Sequence, residues 1–157
     1  MRSIKSIDEL LTISETDFVE LVDDIDCKGK QIDRLCYDFK GVIEGNNHCI
    51  SNLVVEVKIR TDGQKIALFS RLSHAHIRNI RFENISFVIN KSVFVPQIAG
   101  LSVEVSDSEL ENITMMVSTS NQENIPMIYD SVGGTDKALK YICNGKEYNL
   151  YEYKEDA

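Results

Sequence analysis

A chain of 157 residues with 43% hydrophobic side chains, two prolines and a net charge of -8 is large enough to form one ordered domain without disulfides, and its acidity disfavours nonspecific nucleic-acid binding. No run approaches the roughly 18 apolar residues that span a bilayer, and Met1-Arg2-Ser3-Ile4-Lys5 leads into Asp8 and Glu9 where a secretory leader would be apolar. The expectation is a cytoplasmic protein, or a piece cut from a longer exported one, with neither a membrane nor nucleic acid as direct partner.

In chain order, Ser6 followed by Glu9 is a capping box and predicts a short helix that begins at Ile7 and ends before Ser14. Its Ile7, Leu10 and Leu11 suit a lid, so residues 1–17 read as an N-terminal cap. Phe18 to Val22 reads as the first strand. Asp23, Asp24 and Asp26 could hold calcium, but no regular Asp-Gly series accompanies them, so turn formation is the better reading. Strands are expected over 32–39 and 42–43, divided by Gly41 and by a Gly45-Asn46-Asn47 turn, and then over 54–59, 66–72, 75–88 and 101–117. Val93-Phe94-Val95 reads as a strand stopped by Pro96, and residues 130–135 as a loop leaving the sheets. Asn144-Gly145 between two alternating runs predicts a C-terminal β-hairpin over 138–153.

One phrase recurs: Cys49-Ile50-Ser51-Asn52-Leu53, His76-Ile77-Arg78-Asn79-Ile80 and Glu109-Leu110-Glu111-Asn112-Ile113, at spacings of 27 and 33 residues. Alternation on either side of each asparagine places two short strands at a corner, and asparagine tolerates the unusual backbone angles of a corner. Stacked as parallel strands, Asn52, Asn79 and Asn112 would form a ladder. The predicted fold is therefore all-β: a short right-handed parallel β-helix with an N-terminal capping helix and a C-terminal hairpin, one domain over 1–157 with coils over 18–128. A two-layer β-sandwich is the rival, but it has no reason to repeat one corner at nearly constant spacing.

The run Phe39-Lys40-Gly41-Val42-Ile43-Glu44-Gly45 leading into Ile50-Ser51-Asn52-Leu53, with Ala67-Leu68-Phe69-Ser70 behind it, resembles the GLUG-motif repeats of bacterial cell-surface and adhesin-like proteins. The resemblance spans residues 18–117 and implies a right-handed parallel β-helix, but no catalytic residues. Ala67 and Ser70 stand where the family signature has glycines, and Ala99-Gly100-Leu101-Ser102 keeps one of them.

Cys27, Cys36, Cys49 and Cys143 lack CxxC spacing, so free thiols in apolar strands are expected, and neither a zinc site nor any other metal or cofactor. Charge is uneven: residues 92–136 carry seven acids and no Lys or Arg, whereas 57–91 carry seven basic residues and two acids. Alignment of the repeats sets His74, His76 and Arg78 level with Asp107, Glu109 and Glu111. Pairing between those stripes would contribute only a few tenths of a kcal/mol per exposed pair. His74, His76 and Glu109 could form an acid/base set, but on a convex face without a pocket, so an enzyme is not expected. The functional expectation is a protein-binding inhibitor or immunity-type protein of bacterial or phage origin, such as an antitoxin or an anti-CRISPR. Its partner would be a basic nuclease or a nucleic-acid-binding protein. The expected binding residues are Glu104, Asp107, Glu109 and Glu111, with Tyr148, Tyr151 and Tyr153 of the hairpin serving as interface or homodimer anchors. The alternative is an adhesin-like or carbohydrate-binding fragment of a cell-surface protein.

Overall fold

Apolar residues alternate with polar ones along most of this chain, so its strands can bury one side while their backbones pair with one another. A computed structural model describes residues 1–148. Its elements are β1 (Arg2–Ile4), α1 (Ile7–Leu10), β2 (Phe18–Leu21), β3 (Ile25–Ile32), β4 (Cys36–Phe39), β5 (Val42–Glu56), β6 (Lys65–Ile66), β7 (Phe69–Ser73), β8 (His76–Val88), β9 (Gln97–Ile98), β10 (Ser102–Ser106), β11 (Glu109–Thr119), β12 (Ile128–Val132), β13 (Thr135–Cys143) and β14 (Lys146–Tyr148). An eight-stranded sheet runs β1-β2-β5-β8-β11-β13-β14, with β3 also on β5, a four-stranded sheet runs β12-β10-β7-β4, and β6 pairs β9. The ladders are parallel until β14 closes antiparallel on β13.

Register shows what the alternation specifies. His76 lies beside Glu109, and Phe69 beside Ser102, each pair 33 residues apart. Rows of buried side chains follow from this: Ile43, Ile77 and Leu110; Ile50, Phe82 and Met115; Leu53, Ile85 and Val117; Phe39, Leu72 and Val105. Fully buried Phe39 and Phe69 pack with ring centroids 5.6 Å apart.

The corners are asparagines in the left-handed region, with φ of 60° at Asn52, 56° at Asn79, 51° at Asn84 and 52° at Asn112. They form two ladders rather than the single one expected. Asn112 Nδ2 donates to Asn79 Oδ1 at 3.0 Å, whereas Asn84 Nδ2 donates to Asn52 Oδ1 at 2.7 Å and Asn52 Nδ2 to Asp26 Oδ1 at 2.9 Å. The counterpart of Asn52 is thus Asn84, because Ile50 pairs Phe82 and Leu53 pairs Ile85. Both corners carry the same local phrase, and the burial register alone tells them apart.

Other expectations change as well. β5 runs unbroken through Gly45-Asn46-Asn47 and Asn52, so these are bends within a strand that changes face rather than a turn between strands. A Cβ on Gly45 would lie 2.2 Å from Asn79 O, and one on Gly41 would lie 1.9 Å from Asp17 O, so both glycines sit where the neighbouring chain passes too closely for a side chain. Val93-Phe94-Val95 is an exposed loop, not a strand. Residues 130–135 do not leave the sheets: β12 pairs β10 and, after Gly133-Gly134, β13 pairs β11, carrying parallel pairing beyond residue 128. The capping box is present, with Glu9 N donating to Ser6 Oγ at 3.3 Å, and α1 runs from Ile7 to Leu10 as expected, but β1 ahead of it pairs with β2. The hairpin turns at Asn144 (φ 51°) and Gly145 (φ 81°), and its portion beyond Tyr148 lies outside the described residues.

Candidate functional site

The acidic residues singled out in the sequence cluster around the step from β10 to β11. Asp107 occupies that step at φ 49°, its N–H donating to Val132 O at 2.9 Å. Gly133 lies so close that an added Cβ would meet Asp107 Oδ1 at 2.3 Å. Glu109 and Glu111 follow on β11 and are exposed. The alignment of stripes holds for the strand pairs, with His76 beside Glu109 and Arg78 beside Glu111.

The four carboxylates differ in what already occupies them. Glu104 meets Arg71 Nε at 3.1 Å and Lys65 Nζ at 3.5 Å, so its charge is largely neutralised. Glu109 reaches His76 Nδ1 at 3.4 Å and keeps most of its surface in solvent. Arg78 turns away from Glu111 to Glu44, where Nε and Oε1 are 2.6 Å apart, so Glu111 has no ion pair among the described residues. Partial burial works against the Glu44 anion, but the Asn46 N–H and the Arg78 and Asn79 side chains more than offset it and hold the carboxyl below its usual value.

Sequence reasoning missed two residues of this corner. Val132 (69% exposed) lies on β12 directly beside Asp107, so the acidic step borders exposed apolar surface, and Tyr129 (37% exposed) lies earlier on the same strand, opposite Val103. Val132 falls within residues 130–135, which read as a loop in the sequence, and Tyr129 lies just before them. Tyr148, by contrast, is anchored. Its hydroxyl accepts from Asn124 Nδ2, Lys146 Nζ lies 5.1 Å from the ring centroid, and the ring packs on the core. Tyr151 and Tyr153 lie outside the described residues.

The remaining candidates are taken up by structure. Asp24 Oδ1 accepts from Cys49 N at 2.9 Å and contacts His48 Nδ1, bonds that hold its carboxyl below the usual value. Asp26 serves Asn52 and Lys28 N in the same way. Among the described residues no three metal-binding side chains converge. Burial pushes the Cys27 and Cys49 thiols up to about 11, so both stay neutral, and all four cysteines are free and buried. His76 sits between Glu109 and Arg78, whereas His74 forms a corner at φ 53°. No helix of the described residues is long and apolar enough to cross a membrane. Family models, curated proteins and solved structures yield no match to this chain.

Proposed function

We propose that the chain is a short right-handed parallel β-helix that works by binding a protein, as a cytoplasmic inhibitor or immunity-type protein. Parallel ladders that set β7 beside β10 and β8 beside β11 at an offset of about 33 residues, with asparagine corners stacked side chain to side chain, support the solenoid reading. The observation that carries the binding reading is the acidic step itself. Asp107, Glu109 and Glu111 are solvent-facing in a stretch without Lys or Arg, and Asp107 adjoins exposed Val132, with exposed Tyr129 earlier on the same strand. An aromatic and an aliphatic anchor within an acidic rim suit a basic protein surface, such as the nucleic-acid-binding face of a nuclease. Glu104 drops out of the contact set because Lys65 and Arg71 already hold it.

Affinity capture from host lysate at low and at ~0.5 M salt tests this, since exposed ionic contacts weaken as salt screens them. The expected result is one stoichiometric protein that Asp107→Lys, Glu111→Lys or Tyr129→Ala releases. Capture of glycans only, or of nothing, overturns the reading.

A further inference from the structure

The segments joining β5 to β6 and β8 to β9 leave the sheets and stack on each other. Gly63 N donates to Val95 O and Gln97 N to Gln64 O, both at 2.8 Å, and the Asp62 carboxylate accepts from Val95 N at 2.8 Å. The first loop is also closed on itself, with Gln64 Oε1 accepting from Arg60 N at 2.7 Å and Gln64 Nε2 donating to Lys58 O at 2.9 Å. Loops tied in this way present fixed side chains. Those at the tip are Val93, Phe94 and Val95, exposed to 91%, 40% and 73%. Three consecutive apolar residues held in water contribute nothing to the core, and such patches mark contact surfaces.

The cations around the tip differ from those on β6, β7 and β8. Lys65, Arg71, Arg78 and Arg81 each meet a carboxylate within 4 Å. Lys58, Arg60 and Lys91 are exposed and make no ion pair among the described residues. Lys58 and Lys91 line one shallow depression at the foot of the tip together with Glu56, Ile59, Asn90 and Ser92, so its two cations outnumber its one acid. Of the two nearby carboxylates, Glu56 accepts from Asn90 Nδ2 at 3.0 Å, and Asp62 accepts from Val95 N at 2.8 Å.

We propose that this corner docks on an anionic lipid surface, with Val93, Phe94 and Val95 entering the headgroup boundary and Lys58, Arg60 and Lys91 meeting lipid phosphates. The chain then lies on the bilayer without crossing it. Charge complementarity and shape select this occupant. A three-residue convex tip falls well short of the roughly 800 Å² that each partner gives to a stable protein interface, whereas a planar charged boundary accepts it. The overall charge of -8 limits the contact to this corner, because repulsion from more distant acids is screened over ~10 Å at moderate salt.

The chain has no tryptophan, so Phe94→Trp supplies a single reporter. It is mixed with vesicles of phosphatidylcholine containing phosphatidylglycerol, and with pure phosphatidylcholine. The expected result is a blue-shifted emission and co-flotation with the anionic vesicles, with partition roughly ten-fold or more weaker on the neutral ones. The double variant Lys58→Glu/Lys91→Glu is expected to lose flotation, as is Val93→Ser/Val95→Ser, while both keep the parent melting temperature. Equal partition to both vesicle types, or flotation that survives the reversed charges, overturns the proposal. So does the absence of any flotation, the outcome expected if the occupant is an acidic cleft on a protein.

Discussion

At Asn79 and Asn112 the 33-residue spacing brings like next to like: two left-handed corners meet, and one side chain satisfies the other at 3.0 Å. Lys58 and Lys91 are also 33 residues apart and line one depression, yet there two cations without an ion pair among the described residues lie beneath an apolar tip. Local consistency at the first corner serves the fold, and its breach at the second marks surface kept for contact. Aromatic residues sharpen the contrast. Phe82→Ala, in a row of fully buried side chains, is expected to cost ~3–5 kcal/mol in urea denaturation. Phe94→Ala is expected to stay within ~0.5 kcal/mol of the parent, and a larger loss would make the tip part of the structure.

Backbone contacts extend the same series. A methyl group at Gly45 would press on Asn79 O, so Gly45→Ala is expected to destabilise by ~1–3 kcal/mol, whereas a tolerated alanine would mean that the neighbouring strands part easily. Asn79→Ala loses both the side-chain ladder and a residue that accepts φ 56°, for ~2 kcal/mol in all. Asn79→Gly should recover most of the backbone share, and equal losses for the two variants would assign the effect to the side chain alone.

Glu44 tests the same corner through pH. Its carboxyl is held below its usual value in the folded chain, so it contributes stability above the unfolded pKa near 4.5 and loses it as pH falls from there through the depressed folded value. Glu44→Gln is expected to flatten the acid limb of a stability-versus-pH curve. Smallest of all, Glu104→Gln should cost about 0.5 kcal/mol or less, since its two ion pairs are exposed.

Much of this architecture was written in the residue pattern, because a period of two and an asparagine at a bend are local signals. Ser6 with Glu9, the asparagine corners, Asn144-Gly145 and the pairing of His76 with Glu109 all needed only neighbouring residues or a fixed offset. The equivalence of Asn52 with Asn84 did not, since two corners share one phrase and only pairing of Ile50 with Phe82 and Leu53 with Ile85 decides between them. Val93 to Val95 misled for the opposite reason. β-branched and aromatic residues favour strands, but here the loop bonds to Asp62 and Gly63 outweigh that preference. At the candidate site the acids were legible, while Tyr129 and Val132 needed the placement of β12 beside β10. Which acids are already neutralised depends on where Arg78 and Arg71 turn, a choice of side-chain direction that no spacing records.

The parallel register also governs time. Val19 must wait for Ile43, Ile43 for Ile77 and Ile77 for Leu110, so no strand of this series finds its next partner until a further stretch of about 24 to 34 residues has been laid down. Closing loops of that length before any pairing rewards them makes folding from the full-length denatured chain slow, on the order of milliseconds to seconds. During synthesis the order is more favourable. β1 and α1 emerge first and offer β2 an edge, and each later strand meets a template that is already formed.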